Sequence, residues 1–179
     1  QNLGRCLERS LEALEISRRI PDFLRVTAAH HLAQEALIAR GAFGRGRRHA
    51  ANGLAAAEQV QDRYWLLLAC AANQRYRIAG GDWRGAREFS DRGLALGPND
   101  PFLLANRARL EYETGNPAAG KTFLARYLER LKREVQAPPE REAHQDASVA
   151  SVVPLICRLV DEGAWLELAE AAARALMES

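Results

Sequence analysis

Lysine is almost missing from this chain: Lys121 and Lys132 are the only two lysines among its 25 basic residues, and arginine supplies the rest. A genomic composition bias accounts for that without selection for phosphate contacts. With 23 acidic residues the formal net charge is only +2, which gives no global electrostatic case for nucleic acid or a membrane surface. Valine, isoleucine, threonine and the aromatics (7% of residues) are sparse, so the propensity for sheet is low. Cys6, Cys70 and Cys157 are odd in number and far apart, so they fit neither a disulfide framework nor metal-ligand spacing; a reducing cytoplasm is the expected location. No apolar run approaches the roughly 20 residues that span a bilayer, so no membrane contact is expected. The opening "QNLGRCLERS" has neither an initiator Met nor the apolar core of a signal peptide and enters a helical pattern almost at once. The chain is therefore expected to be a fragment of a longer one.

Alanine and leucine are what the chain has in quantity, and 47% hydrophobic with 27% charged residues is an ordinary balance for a folded protein. Four segments share one pattern: "GAFGRGRRHAANGL" from Gly41, "GDWRGAREFSDRGL" from Gly81, "GNPAAGKTFLARYL" from Gly115 and "GAWLELAEAAARAL" from Gly163. Two residues after the leading glycine comes Phe43, Trp83, Pro117 or Trp165, and five after it comes Gly46, Ala86, Gly120 or Leu168. Thirteen after it comes Leu54, Leu94, Leu128 or Leu176. The leading glycines lie 40, 34 and 48 residues apart, the range of helix-turn-helix repeats. Each unit reads as helix A, a turn in which glycine takes positive φ, then helix B. Asp82, Asn116 and Asp100 are placed to cap helices, and Pro101 and Pro117 suit a first helical position. The aromatic or proline at the turn is expected to wedge between helices, and the small residue five after the glycine to permit close approach.

These signals give about nine helices. An orphan B-type helix covers 5–19, and pairs follow at 23–40 and 43–60, 63–79 and 83–96, 101–114 and 117–135, and 148–162 and 165–178. The polar stretch 136–147, with Pro138 and Pro139, reads as a linker. In domain terms this is one helical-repeat domain over 1–179, with an orphan helix at 5–20 and repeat pairs at 23–61, 63–97, 101–135 and 148–178.

"GDWRGAREFSDRGLALGPNDP" resembles a tetratricopeptide repeat, with its Gly-Asp-aromatic turn, small residues at Ala86 and Gly93, and Leu94, Leu96 and Pro98 following. The resemblance implies an all-α, right-handed α–α superhelix, and it is strongest over 63–135. Leu168 and Tyr127 stand where small residues are usual, and the unequal repeat lengths depart from a strict 34-residue period. "LERSLEALEISRRIPDFLRVTAAHHLAQEALIARGAF" is similar to the degenerate helical-repeat region of large bacterial signalling proteins, among them LuxR-type ATP-dependent transcriptional regulators and some cyclases. In those proteins the repeats sense a ligand or partner. Helix A residues line the concave wall of tetratricopeptide arrays, so the resemblance nominates His31, Glu35, Arg75, Asn106, Arg109 and Tyr112 as binding residues. On that wall Arg75 and Arg109 would hold carboxylates of a peptide or small acid, with Asn106 and Tyr112 as hydrogen-bonding groups. Simple solvation of the same side chains is the competing reading.

Three other patterns compete with a binding scaffold. "GNPAAGKT", running from Gly115 to Thr122, satisfies the phosphate-loop spacing, with Lys121 in the lysine position. Such a loop must follow a buried strand, whereas "PFLLANRARLEYET" before it is broken by Arg107, Arg109, Glu111 and Glu113 and reads as helix. The acidic pair Asp161 and Glu162 likewise sits in an A-helix position. The locally basic Arg45, Arg47 and Arg48 are a possible nucleic-acid contact, with no stacking aromatics or continuous basic stripe to extend it. His31 and Glu35, four apart, share a helical face and are a possible metal pair, but no third ligand is identifiable. The expectation is a non-enzymatic scaffold with no cofactor and no metal, no nucleic-acid contact of its own, a protein or small acidic ligand on the concave face, and weak self-association through its end helices.

Overall fold

The computed structural model of the protein describes residues 3–17, 19 and 22–135, and every regular element among them is an α-helix. These are α1 (Leu3–Ser17), α2 (Phe23–Ala39), α3 (Phe43–Val60), α4 (Arg63–Ala79), α5 (Trp83–Leu96), α6 (Pro101–Glu113) and α7 (Pro117–Val135). The chain divides into two compact units, Gln1–Pro98 with α1 to α5 and Asn99–Ser179 with α6 and α7. The helices expected at 148–162 and 165–178, and the linker at 136–147, lie outside the described residues.

The observed boundaries fall within about two residues of those read from the sequence, because each end carries a local chemical signal. Gly41, Gly81 and Gly115 have φ of +70°, +72° and +77°. At each, the glycine N–H reaches the carbonyl three residues back and the next N–H reaches the carbonyl five back. The pairs are Gly41 to Ile38 (2.9 Å) with Ala42 to Leu37 (2.9 Å), Gly81 to Ile78 (3.0 Å) with Asp82 to Arg77 (2.9 Å), and Gly115 to Tyr112 (3.2 Å) with Asn116 to Glu111 (2.8 Å). This Schellman closure satisfies carbonyls that a helix C-terminus leaves open. The following helix is then capped by Asp82 on the Gly85 N–H (3.0 Å) or by Asn116 on that of Ala119 (3.3 Å), and Asp100 caps α6 through Leu103 (2.9 Å). Asp22 and Asp62 cap α2 and α4 in the same way through Arg25 and Trp65 (both 3.1 Å), two caps that the repeat pattern did not single out. α3 has no side-chain cap, because Ala42 carries no acceptor.

In the first unit consecutive helices pack on one another, and α2 also touches α4, so successive A helices meet directly. Alanines at the contacts, Ala33, Ala57 and Ala86, are fully buried and let the axes approach closely. Gly46 of α3 lies under the Tyr76 phenol of α4, where a Cβ would collide with the ring. The Tyr76 hydroxyl passes over it and donates to the Gln34 carbonyl of α2 (2.9 Å); burial pushes its pKa up to about 12. Asn73 of α4 donates to the carbonyls of Ala50 on α3 (3.0 Å) and Ala69 (2.9 Å). Together these buried bonds tie α4 to both preceding helices. At the turns Phe43 is 50% and Trp83 38% exposed, so neither ring is fully enclosed between helices.

In the second unit Leu103, Leu104 and Leu110 of α6 and Leu128 of α7 are fully buried, and Gly120 of α7 lies against the Tyr112 ring. Arg107 and Glu111, one turn apart on α6, form a buried ion pair (2.6 Å), with the guanidinium 4.9 Å from the Phe123 ring centroid. Gly115 to Thr122 is a helix-to-helix turn followed by the start of α7. The Gly120 N–H is already bonded to the Asn116 carbonyl (3.0 Å), and the Thr122 hydroxyl to that of Ala118 (3.1 Å).

Gln74 of α4 is fully buried with neither amide atom hydrogen-bonded, an arrangement that costs about 1–3 kcal/mol per group. Gln74→Met keeps the shape and removes the polar atoms. It is expected to raise the unfolding free energy by about 1 kcal/mol or more in urea denaturation; a loss of stability would show that the amide is satisfied in solution.

Candidate functional site

At 100° per residue, Leu24, Ala28, His31, Leu32 and Glu35 fall on one face of α2, and Tyr64, Leu68, Ala71 and Arg75 on one face of α4. The two faces are joined where α2 meets α4. The Arg75 Nη2 donates to both Glu35 carboxylate oxygens (2.9 and 3.0 Å), with the two side chains 24% and 38% exposed. One turn earlier the His31 ring meets Trp65 edge-on, at 6.3 Å between centroids and 73° between planes. Gln34 Nε2 donates to His31 Nδ1 (3.0 Å), which leaves the ring proton on Nε2. On the same two helix faces Leu24, Leu32 and Tyr64 are 47%, 50% and 50% exposed.

Three of the six residues nominated from the sequence, His31, Glu35 and Arg75, are thus brought together. The other three lie on α6 in the second unit: Asn106 is half-buried, Arg109 pairs with Glu113 one turn on (2.6 Å), and Tyr112 packs on Gly120. Arg75 and Arg109 both hold a carboxylate of this chain, so neither stands open for a ligand carboxylate in this arrangement. The possible His31–Glu35 metal pair is likewise engaged elsewhere, His31 with Gln34 and Glu35 with Arg75. Arg45, Arg47 and Arg48 are exposed on α3. Leu24, Leu32 and Tyr64 were not singled out from the sequence, although Leu24, Ala28 and Leu32 repeat every four residues.

The histidine contact that forms is one that sequence spacing does not reveal. His30 of α2 and His49 of α3, 19 residues apart, face each other with their Nδ1 atoms 2.9 Å apart. In the neutral pair one Nδ1–H donates and the other nitrogen accepts. Burial, then the neighbouring His49, lowers the His30 pKa to about 4. Burial, then Arg45 and Arg48, lowers that of His49. Burial also lowers His31, with Glu35 opposing and Arg75 assisting.

Histidines with lowered folded-state pKa values take up protons on unfolding, so stability is complete above about pH 6.5, the unfolded value, and is lost as pH falls toward about 4. The urea midpoint is expected to fall between pH 7 and pH 5, and His30→Gln is expected to show a shallower slope over that interval. Equal slopes would mean that His30 titrates normally in the folded chain.

No family model matches the sequence, and no curated protein matches it. Among solved structures the chain resembles BtubC (BKLC) from P. vanneervenii, with a TM-score of 0.60 at 12% identity over 99% of this chain and 91% of that one. At that identity the likeness is one of fold.

Proposed function

We propose that this chain is a non-catalytic helical-repeat scaffold that docks a protein or peptide on the joined faces of α2 and α4. In this reading the hairpins stack as a right-handed tetratricopeptide-like superhelix, and the fragment serves as the sensor region of a multidomain bacterial signalling or transcriptional regulator of the LuxR type, in the cytoplasm. The observation that carries the docking role is three large apolar side chains, Leu24, Leu32 and Tyr64, about half-exposed on the two helices that the Glu35–Arg75 pair joins. Exposed apolar groups framed by polar ones mark an interaction surface. Three hairpins closed by the same glycine turn support the repeat reading, and the resemblance of 63–135 to tetratricopeptide repeats supports the stacking.

A peptide is favoured over a small acid because the two nominated arginines already hold carboxylates. A nucleotide at Gly115–Thr122 is disfavoured because α6, not a strand, precedes the turn and the Gly120 N–H is taken up in helical bonding.

Peptides selected from a displayed random library on the folded chain are expected to lose affinity to Leu32→Glu and to Tyr64→Ala by about 30-fold each, the effect of a central contact residue. Calorimetry reads the affinities, and circular dichroism checks that the helices persist. Selected peptides indifferent to both substitutions would sink the α2–α4 assignment. Mg·ATP is expected to give no saturable heat with the chain or with Lys121→Ala; binding abolished by that substitution would restore the phosphate-loop reading.

A further inference from the structure

We propose that His30 and His49 form a binding site for a single divalent cation of the zinc, nickel or copper class, held by the two Nδ1 atoms and completed by the Asn52 side-chain carbonyl and water. The two imidazoles come from different helices and converge head to head, with Nδ1 atoms 2.9 Å apart, ring centroids 5.1 Å apart and planes at 57°. Neutral imidazole is a preferred donor for these ions. A zinc–nitrogen bond of about 2.0–2.1 Å places two nitrogens of a tetrahedral ion about 3.3 Å apart. The nitrogens therefore part by roughly 0.4 Å and each ring turns by roughly 35°, so that both lone pairs leave the line between the nitrogens and converge on the ion.

Access runs from the His30 side, since His49 borders a separate small cavity with Thr27 and Gln34. A cleft of about 300 Å³ between α1, α2 and α3 is lined by Leu14, Ser17, Val26, His30 and Asn52, with room for an ion and its water ligands. Asn52 follows His49 by three residues on α3, so its amide stands one turn along the same helix. Burial keeps the two rings neutral near pH 7, and the ring that carries its proton on Nδ1 moves it to Nε2 so that both Nδ1 lone pairs face the ion. Arg45 and Arg48 bear on His49 from its own helix and oppose a dication. The intrinsic affinity order for nitrogen ligands places Cu²⁺ ahead of Zn²⁺. Among the described residues no three His, Cys, Asp or Glu side chains gather into a metal-binding group, so the site has two imidazoles and open positions. Occupancy braces α2 against α3 and so stiffens the helix that carries Leu24, His31, Leu32 and Glu35.

The test is Cu²⁺ titration of the whole chain, followed by electron paramagnetic resonance. The expected wild-type spectrum shows one saturable site with hyperfine structure from two nitrogens. His30→Gln and His49→Gln should each lose the second nitrogen, while His31→Gln keeps it. A second measurement needs no variant: substoichiometric Zn²⁺ should shift the imidazole nitrogen resonances of His30 and His49 and leave that of His31 in place. A spectrum unchanged by both substitutions, a one-nitrogen wild-type spectrum, or zinc shifts confined to other histidines would each overturn the site.

Discussion

A chain that reverses between two helices within three residues must hold one residue at positive φ, and here glycine does so at 41, 81 and 115. Any residue with a Cβ is strained in that region, whereas glycine enters it freely. The rest of the architecture depends on that reversal. Closure onto the carbonyls three and five residues back sets the rotation at which the second helix begins. With that phase set, the residue five after each of these three glycines turns toward a neighbouring helix, and each time it is glycine or alanine. Gly46 lies under Tyr76, Gly120 against Tyr112, and Ala86 is fully buried.

Within the first unit the close approach makes the polar cross-links possible. Tyr76 reaches over Gly46 to a backbone carbonyl of α2, and Asn73 reaches one of α3, so α4 is registered against both helices that precede it. Such buried bonds are individually modest in free energy, but they select one alignment among the many that an alanine-rich interface would tolerate. The same alignment brings Glu35 to Arg75, His31 to Trp65 and His30 to His49. The joined face of α2 and α4 and the histidine pair are consequences of one packing solution.

That packing also explains which sequence signals were informative. "GNPAAGKT" has the spacing of a phosphate loop because the repeat independently places a turn glycine at its first position and, among the described repeats, a small residue at its sixth. A four-residue pattern carries no information about the preceding element, and α6 stands where a strand would be needed. His31 and Glu35 looked like neighbours because they are one helical turn apart. Each bonds instead to another partner: His31 to Gln34, three residues on, and Glu35 to Arg75, forty residues away, which spacing alone would not choose.

By itself the sequence determined the helices and their ends, since caps, turn glycines and helical periodicity act within a few residues and need no tertiary partner. The positions of α1 to α7, the N-caps at Asp82, Asp100 and Asn116 and the three glycine turns are legible in this way. Only the tertiary structure decided which side chains meet. The nominated binding residues separate into three that converge on α2 and α4 and three on α6, and Phe43 and Trp83 stay partly exposed at their turns. His30 finds His49 across a helix–helix contact that leaves no mark in residue spacing. The physical reason is range: backbone closure depends on dihedral angles and near neighbours, whereas a cross-helix contact depends on the packing of every side chain between the two axes.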